Sequence, residues 1–250
     1  DVYLTGSYSR PYAEAMLAKA SFARIHNATL YSNMHEHLKI KKVSNYFYGH
    51  SEERGRSFSL DVLNNFIRSG SLKIPDSELL TISLGLSDYK RLIDIEFIKI
   101  VLTKAPSYDF QVAIICTLNE ETNAYILRDK LHSIGYKDCI VHVAIPLQDV
   151  MHLISRSALF IGGDTGLSHF AVLSGIKSII YAAGGHWGQF FPYPESFSNV
   201  LTIGSEDKSC FGCNHKCKFP RVKNKFPCML GYNPAKVARL SVKFLTSKNT

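Results

Sequence analysis

From residue 79 onward, short apolar runs alternate with segments whose apolar residues recur at helical spacing. The runs predict β-strands at 79–84, 112–116, 139–143, 158–161 and 178–182. The periodic segments predict helices around 95–102, 120–134, 147–157, 167–174 and 234–245. Strands that are almost entirely apolar are typical of a parallel sheet covered on both faces. We therefore expect a Rossmann-like, doubly wound α/β domain over residues 79–250.

The first 78 residues are less regular. A strand at 2–5 and helices around 11–20 and 57–69 look like the end of another α/β unit followed by a connection. The chain starts without Met and inside a predicted strand. We expect residues 1–78 to be an incomplete N-terminal α/β unit of a longer protein.

Composition narrows the class of protein. Of the 250 residues, 46% are hydrophobic and 20% charged, as in soluble globular proteins. The net charge of +8 indicates an anionic partner, such as nucleic acid, a phosphorylated small molecule or an anionic membrane. A basic surface without such a partner is the alternative. No apolar run reaches the roughly 20 residues that cross a bilayer, and the start lacks a signal-peptide layout. The six cysteines, four of them crowded near the C-terminus, do not resemble an extracellular disulfide framework, so a reducing, cytoplasmic location is expected.

The stretch IGGDTGLSHF at 161–170 is the main candidate for chemistry. Asp-Thr-Gly carries the catalytic carboxylate of aspartic proteases, but those are all-β proteins with a second carboxylate. Here the tripeptide follows a predicted strand and opens a predicted helix. The N–H groups at that helix start can bind a phosphate, with Asp164 as helix cap or ligand contact. His169 lies one turn further and either faces the site or packs in the core.

At this point the residues resemble the donor-binding domain of family 9 glycosyltransferases, whose best-known members are the heptosyltransferases. The resemblance rests on DTGLSH, on the later Gly-rich loop AAGGHWGQFFPYP and on the earlier segment ISLGLSDYKRLIDIEF. It extends to the Cys-containing tail and the closing helix that begins at Pro234. It covers roughly residues 79–250, and DTGLSH is its specific motif.

The resemblance implies a GT-B architecture, in which two Rossmann-like domains face each other across a cleft and the C-terminal one binds a nucleotide sugar. The residues that would surround the donor diphosphate are Asp164, Thr165, Gly166, Leu167 and His169. Lys90 would supply a cation to the same phosphates, with Ser87 hydrogen-bonding beside it. Glu121 or Glu120 would bind the ribose hydroxyls. Lys90, Asp164 and His169 are the candidate catalytic residues.

The family's proposed general base is an acidic residue at the start of the N-terminal domain. We expect that base to lie upstream of Asp1, so residues 1–250 would bind a donor without supplying the group that deprotonates the acceptor hydroxyl.

Four cysteines near the C-terminus form the pattern C-x2-C-x3-C-x10-C. They are Cys210, Cys213, Cys217 and Cys228. Four thiolates at such spacing can enclose a structural Zn or Fe ion, with His215 as a substitute ligand. Reduced thiols or an adventitious disulfide are the alternatives. No cofactor is expected to be required for catalysis.

The cysteines lie in a basic segment, which also allows a metal-stabilised nucleic-acid-binding module. The basic residues are Lys208, Lys216, Lys218, Arg221, Lys223 and Lys225. Because few aromatic residues accompany them, a base-stacking surface is only weakly indicated, and no nucleic-acid partner is expected.

The resemblance implies an inverting glycosyltransferase that uses a nucleotide-diphosphate sugar, with ADP-heptose favoured. The acceptor would be a glycan or a lipid-linked saccharide, in lipopolysaccharide or surface glycan assembly. Peripheral contact with the inner membrane is compatible with such an acceptor. A nucleotide-sugar epimerase of the same fold and an inactive donor-binding remnant are further alternatives.

Overall fold

The computed structural model describes residues 2–5, 24–27, 72, 78–84, 89–104, 110–195, 197–207 and 209–247. Its main feature is a six-stranded sheet in which all neighbouring strands are parallel. Its strands are β3 (Leu79–Ser83), β4 (Gln111–Cys116), β5 (Cys139–Val143), β6 (Ser157–Gly163), β7 (Ser178–Tyr181) and β8 (Val200–Ile203). A separate parallel pair is formed by β1 (Val2–Thr5) and β2 (Arg24–Asn27).

Five α-helices lie between and after the strands of the larger sheet in the described part of the chain. They are α1 (Ile95–Thr103), α2 (Glu121–Ser133), α3 (Leu147–Ser155), α4 (Gly166–Leu173) and α5 (Pro234–Thr246). No described helix is long and apolar enough to cross a membrane.

The strand order is β5-β4-β3-β6-β7-β8. From β3 the chain adds β4 and β5 on one side, then returns to place β6, β7 and β8 on the other. The order therefore reverses between β3 and β6. In open α/β sheets, ligands bind in the crevice beyond the carboxyl ends of the strands at such a reversal. The topology thus directs attention to the residues that follow β3 and β6.

Alternation along the strands divides the core between the two faces of the sheet. Leu80 and Ile82 point to the layer that contains α1, α2 and α5. Leu79 points to the opposite layer, where α3 and α4 pack. Because side chains alternate along a strand, Ser83 lies on the same face as Leu79, next to α3 and α4. The end of β3 thereby presents a hydroxyl rather than an apolar side chain to this layer.

The structure confirms the predicted α/β class and the parallel sheet covered on both faces. The predicted strands and helices from residue 79 onward are present, with ends that differ by at most two residues. Gly135 and Gly175 have φ values of 106° and 78°, as expected of glycines that end helices. The strand at 2–5 is also present. Strands β2 and β8, which are only four residues each, were not predicted.

The predicted helices at 11–20 and 57–69 lie outside the described residues. The division into a partial unit at 1–78 and a domain at 79–250 stays a prediction.

Candidate nucleotide-sugar site

The candidate site lies at the carboxyl ends of β3, β4 and β6, where the strand order reverses. A cavity of about 650 Å³ opens there. Its polar lining residues are Ser83, Arg91, Thr117, Asp164 and Thr165. The apolar ones are Leu147, Met151, Leu167 and Phe170, and Gly166 completes the lining. Polar groups at the strand ends together with apolar side chains from two helices are suited to a ligand with a charged part and an apolar part.

The turn between β6 and α4 is built by the motif singled out in the sequence. Helix α4 begins at Gly166, and Thr165 is its N-cap residue. The Thr165 Oγ1 accepts a hydrogen bond from the Ser168 N–H at 3.3 Å. By helix geometry the N–H groups of Gly166 and Leu167 have no acceptor within the helix. The turn therefore presents donors at the positive end of a helix dipole, which favours an anion.

The cap is therefore Thr165 and not Asp164, which settles one alternative left open by the sequence. Asp164 lies in the lining of the cavity, and its Oδ2 is 4.0 Å from the His186 Nδ1. Burial raises the pKa of the Asp164 carboxyl, while His186 and Arg91 oppose that rise. His186 in turn shares a 2.8 Å hydrogen bond through Nε2 with the Asn214 Oδ1. Sequence patterns alone did not single out His186, because its partners lie in a distant loop.

Three polar residues of the cavity, Ser83, Thr117 and Arg91, were not predicted, because nothing in their local sequence marks them. Ser83 is fully buried, and its Oγ has no hydrogen-bond partner among the described residues. Such a group is uncommon in proteins and calls for an explanation. A second, Thr117, is held by Glu120, whose carboxylate accepts from the Thr117 N–H at 2.9 Å and from its hydroxyl at 3.0 Å.

Glu120 thus forms a capping box at the start of the 3₁₀ turn Leu118–Glu120. Glu121 follows in the first turn of α2 and is partly exposed. Neither carboxylate is among the residues that line the cavity. The ribose role of Glu120 or Glu121 stays a prediction.

The cation in the lining is Arg91, the neighbour of the predicted Lys90. Both lie in the 3₁₀ turn Tyr89–Arg91, where successive side chains point in directions about 120° apart. The Lys90 ammonium lies 5.8 Å from the centre of the Tyr89 ring. The backbone carbonyl of Lys90 accepts a hydrogen bond from the Phe226 N–H at 3.1 Å. Arg91 is the residue that reaches the cavity. The phosphate role of Lys90 stays a prediction.

His169 lies in an aromatic cluster beside α4. Its ring stacks on Phe191 with centroids 4.6 Å apart, and its Nδ1 shares a 2.7 Å hydrogen bond with the Tyr193 hydroxyl. It is not among the residues that line the cavity. This geometry favours the packing alternative, and its catalytic role stays a prediction. Ser87 lies outside the described residues.

The Cys-rich loop lies next to the site. Cys210, Cys213 and Cys217 line a second cavity of about 240 Å³. Burial raises the pKa of the Cys228 thiol, while a hydrogen bond from the Gly184 N–H opposes that rise. All six cysteines are free thiols. Within the described residues no group of three or more His, Cys, Asp or Glu side chains is arranged to hold a metal ion. Metal binding at this loop stays a prediction.

A comparison with solved structures shows the fold of the chain. The E. coli heptosyltransferase WaaC with ADP matches 90% of this chain with 15% sequence identity and a TM-score of 0.57. The chain has the fold of this heptosyltransferase. This confirms the resemblance at the level of the fold, including the GT-B class.

Other similar structures show weaker agreement. E. coli ADP-heptose LPS heptosyltransferase II matches 78% of the chain with 12% identity and a TM-score of 0.49. A family 9 glycosyl transferase from Veillonella parvula matches 73% with 15% identity and a TM-score of 0.44. The aligned chain spans 60% of WaaC, 52% of heptosyltransferase II and 50% of the Veillonella protein. No family model and no curated protein matches the sequence.

Proposed function

We propose that this chain binds a nucleotide-diphosphate sugar and belongs to a glycosyltransferase that moves the sugar to a saccharide acceptor. The proposal rests on the cavity at the strand reversal. The N-terminus of α4 and Arg91 both line this cavity. A diphosphate is the ligand that both groups suit, because a helix N-terminus and a guanidinium each bind phosphate oxygens.

The chemistry expected at such a site is the departure of a nucleoside diphosphate. The acceptor hydroxyl attacks the anomeric carbon in a single displacement, which inverts that carbon, and negative charge develops on the leaving phosphate. Arg91 and the amides of Gly166 and Leu167 stabilise that charge. Each donor aimed at a developing anion lowers the free energy of the transition state by about 3 kcal/mol. Lys90 adds a further cation in this proposal.

ADP-heptose is the favoured donor. The WaaC structure of the same fold was solved with ADP. The apolar part of the cavity, formed by Leu147, Met151 and Phe170, suits a flat base beside the phosphate site. Lipopolysaccharide or another surface glycan is the corresponding acceptor class.

A charged surface supports contact with an anionic acceptor or membrane. Of the 29 Lys and Arg residues, ten lie after Asp207, and none of the 21 Asp and Glu residues does. Among the basic residues that the structure describes in this part, Lys216, Lys218, Arg221 and Lys223 are exposed. Such a surface attracts phosphate-bearing lipids or glycans. It equally suits nucleic acid, which makes nucleic-acid binding the competing outcome of the test.

A thermal-shift panel tests the proposal. ADP and ADP-heptose should raise the melting temperature in a concentration-dependent way, by the linkage of binding to folding. UDP and GDP report on the nucleobase, and short RNA and DNA duplexes report on the competing function. Lys90→Ala and Arg91→Ala should each reduce the ADP shift. Stabilisation by RNA or DNA, without any shift from nucleoside diphosphates, overturns the transferase proposal.

A further inference from the structure

The Cys-rich loop contacts the candidate donor site from outside the cavity, because its His215 pairs with Arg91 of the lining. We infer that His215 of this loop is a positioning residue that holds the Arg91 guanidinium in place for the donor diphosphate. The inference rests on the proposed function and adds a residue 124 positions away from Arg91 to its site.

Main-chain hydrogen bonds dock the loop against the Gly-rich segment that follows β7. The Gly212 N–H donates to the Gly184 carbonyl, and the Asn214 N–H donates to the Gly185 carbonyl, each at 2.8 Å. A further bond joins the Gly184 N–H to the Cys228 thiol. Hydrogen bonds at three positions thus hold the loop against the Gly-rich segment.

The two residues at the tip of the loop have a special backbone conformation. Asn214 and His215 have φ values of 49° and 59°, so two successive residues are in the left-handed region. For residues other than glycine this conformation costs about 1 kcal/mol each, and it persists where surrounding contacts impose it. In this conformation His215 contacts Arg91 and Asn214 contacts His186.

The donor and the acceptor of the hydrogen bond between Arg91 and His215 can be assigned. The Arg91 Nη1 lies 3.2 Å from the His215 Nε2. A guanidinium has donors and no acceptor, so Nε2 accepts and the ring proton is on Nδ1. This bond occupies the lone pair of Nε2, which argues against His215 as a metal ligand through that atom.

Packing holds the imidazole in this position. Its ring lies parallel to Phe226 at a centroid distance of 6.1 Å and edge-on to His186 at 4.3 Å. Gly185 lies directly against it, because a Cβ added at Gly185 would overlap the ring. The imidazole therefore has little conformational freedom, and its hydrogen bond restrains the Arg91 side chain as well.

Asn214 makes a second, indirect contact with the lining. It is joined to His186, which lies beside Asp164 in the cavity lining. The loop thus touches the site at two points, a cation through His215 and a carboxylate through Asn214 and His186. This double contact explains why a loop so distant in sequence belongs to the donor site.

A double-mutant cycle on ADP affinity tests the inference by isothermal titration calorimetry. His215→Ala should weaken ADP binding about tenfold, as expected for loss of a hydrogen bond to a charged group. In the Arg91→Ala background the same change should have almost no further effect, because His215 acts through Arg91. His215→Gln, whose side-chain oxygen can accept from Arg91, should restore most of the affinity.

Two results overturn the inference. One is ADP affinity of His215→Ala equal to that of the wild type. The other is a loss of the same size in both backgrounds, which shows that His215 acts on the loop and not on Arg91. Val222→Ala is the matched control, since it changes an exposed, uncharged residue of the same loop and should bind ADP normally. Absence of ADP binding by the wild type itself refutes the proposed function instead, so the two failures are distinct.

Discussion

Replacing Ser83 with alanine is expected to change stability and ligand binding in opposite directions. Its hydroxyl is buried at the cavity and has no partner among the described residues. A buried hydroxyl without a partner costs about 1–3 kcal/mol. Alanine removes that cost but also loses the packing of one oxygen atom. The free energy of unfolding should therefore rise by about 1 kcal/mol in the absence of ligand.

Ligand reverses the sign of the effect. A bound diphosphate supplies an acceptor for the Ser83 hydroxyl, and a hydrogen bond to a charged group contributes about 1.5–3 kcal/mol. Since about 1.4 kcal/mol corresponds to a factor of ten, Ser83→Ala should weaken ADP binding about tenfold or more. Urea denaturation without ligand and titration calorimetry with ADP measure the two effects separately.

Ser157 provides the matched control, because it is also a buried serine of the same sheet. Its hydroxyl donates to the Leu153 carbonyl at 2.9 Å and pairs with the Thr81 hydroxyl at 2.6 Å. Ser157→Ala should lower the free energy of unfolding by about 1 kcal/mol and leave ADP affinity unchanged. The reasoning is refuted if Ser83→Ala is destabilised like this control and binds ADP like the wild type.

Three further changes probe other parts of the site. Because burial raises the pKa of Asp164, its charged form opposes folding, so Asp164→Asn should raise the melting temperature at pH 7. That gain should vanish as the pH falls below the usual Asp value of 3.8, and a gain that does not depend on pH argues against the cause given. Gly185→Ala displaces His215 and should weaken ADP binding about tenfold. Gly163→Ala should not, because its added Cβ meets only the Tyr181 carbonyl at 3.8 Å. Equal calorimetric affinities of the two variants for ADP contradict this reasoning. Elemental analysis of protein purified under reducing conditions tests the metal hypothesis. About one equivalent of Zn or Fe that Cys213→Ser loses would support it, and a metal-free wild type ends it.

Sequence patterns sufficed for the part of the site that is local in the chain. The strand, the Gly-rich turn and the helix around 161–173 follow from apolar runs, glycine positions and helix start signals. That local unit contains Asp164, Thr165 and the amides of Gly166 and Leu167, all of which the structure brings to the cavity. The sequence also predicts the parallel sheet, because its strands are short, almost entirely apolar runs between segments with helical periodicity.

The remaining residues depend on contacts that no local pattern encodes. Lys90 and Arg91 are adjacent and chemically alike, and only the rotation of a 3₁₀ turn determines which one reaches the cavity. His215 acquires its position from a loop that docks by main-chain hydrogen bonds. Ser83 is inconspicuous in sequence and becomes notable only when its burial and lack of a described partner are known.

The most direct test of the central claim is calorimetric titration of the chain with ADP, in parallel with Arg91→Ala. The account predicts saturable binding at one site per chain, and a loss of at least about tenfold in affinity when the guanidinium is removed. No measurable binding of ADP, UDP or GDP to the wild type would contradict the account, as would equal affinities of wild type and Arg91→Ala.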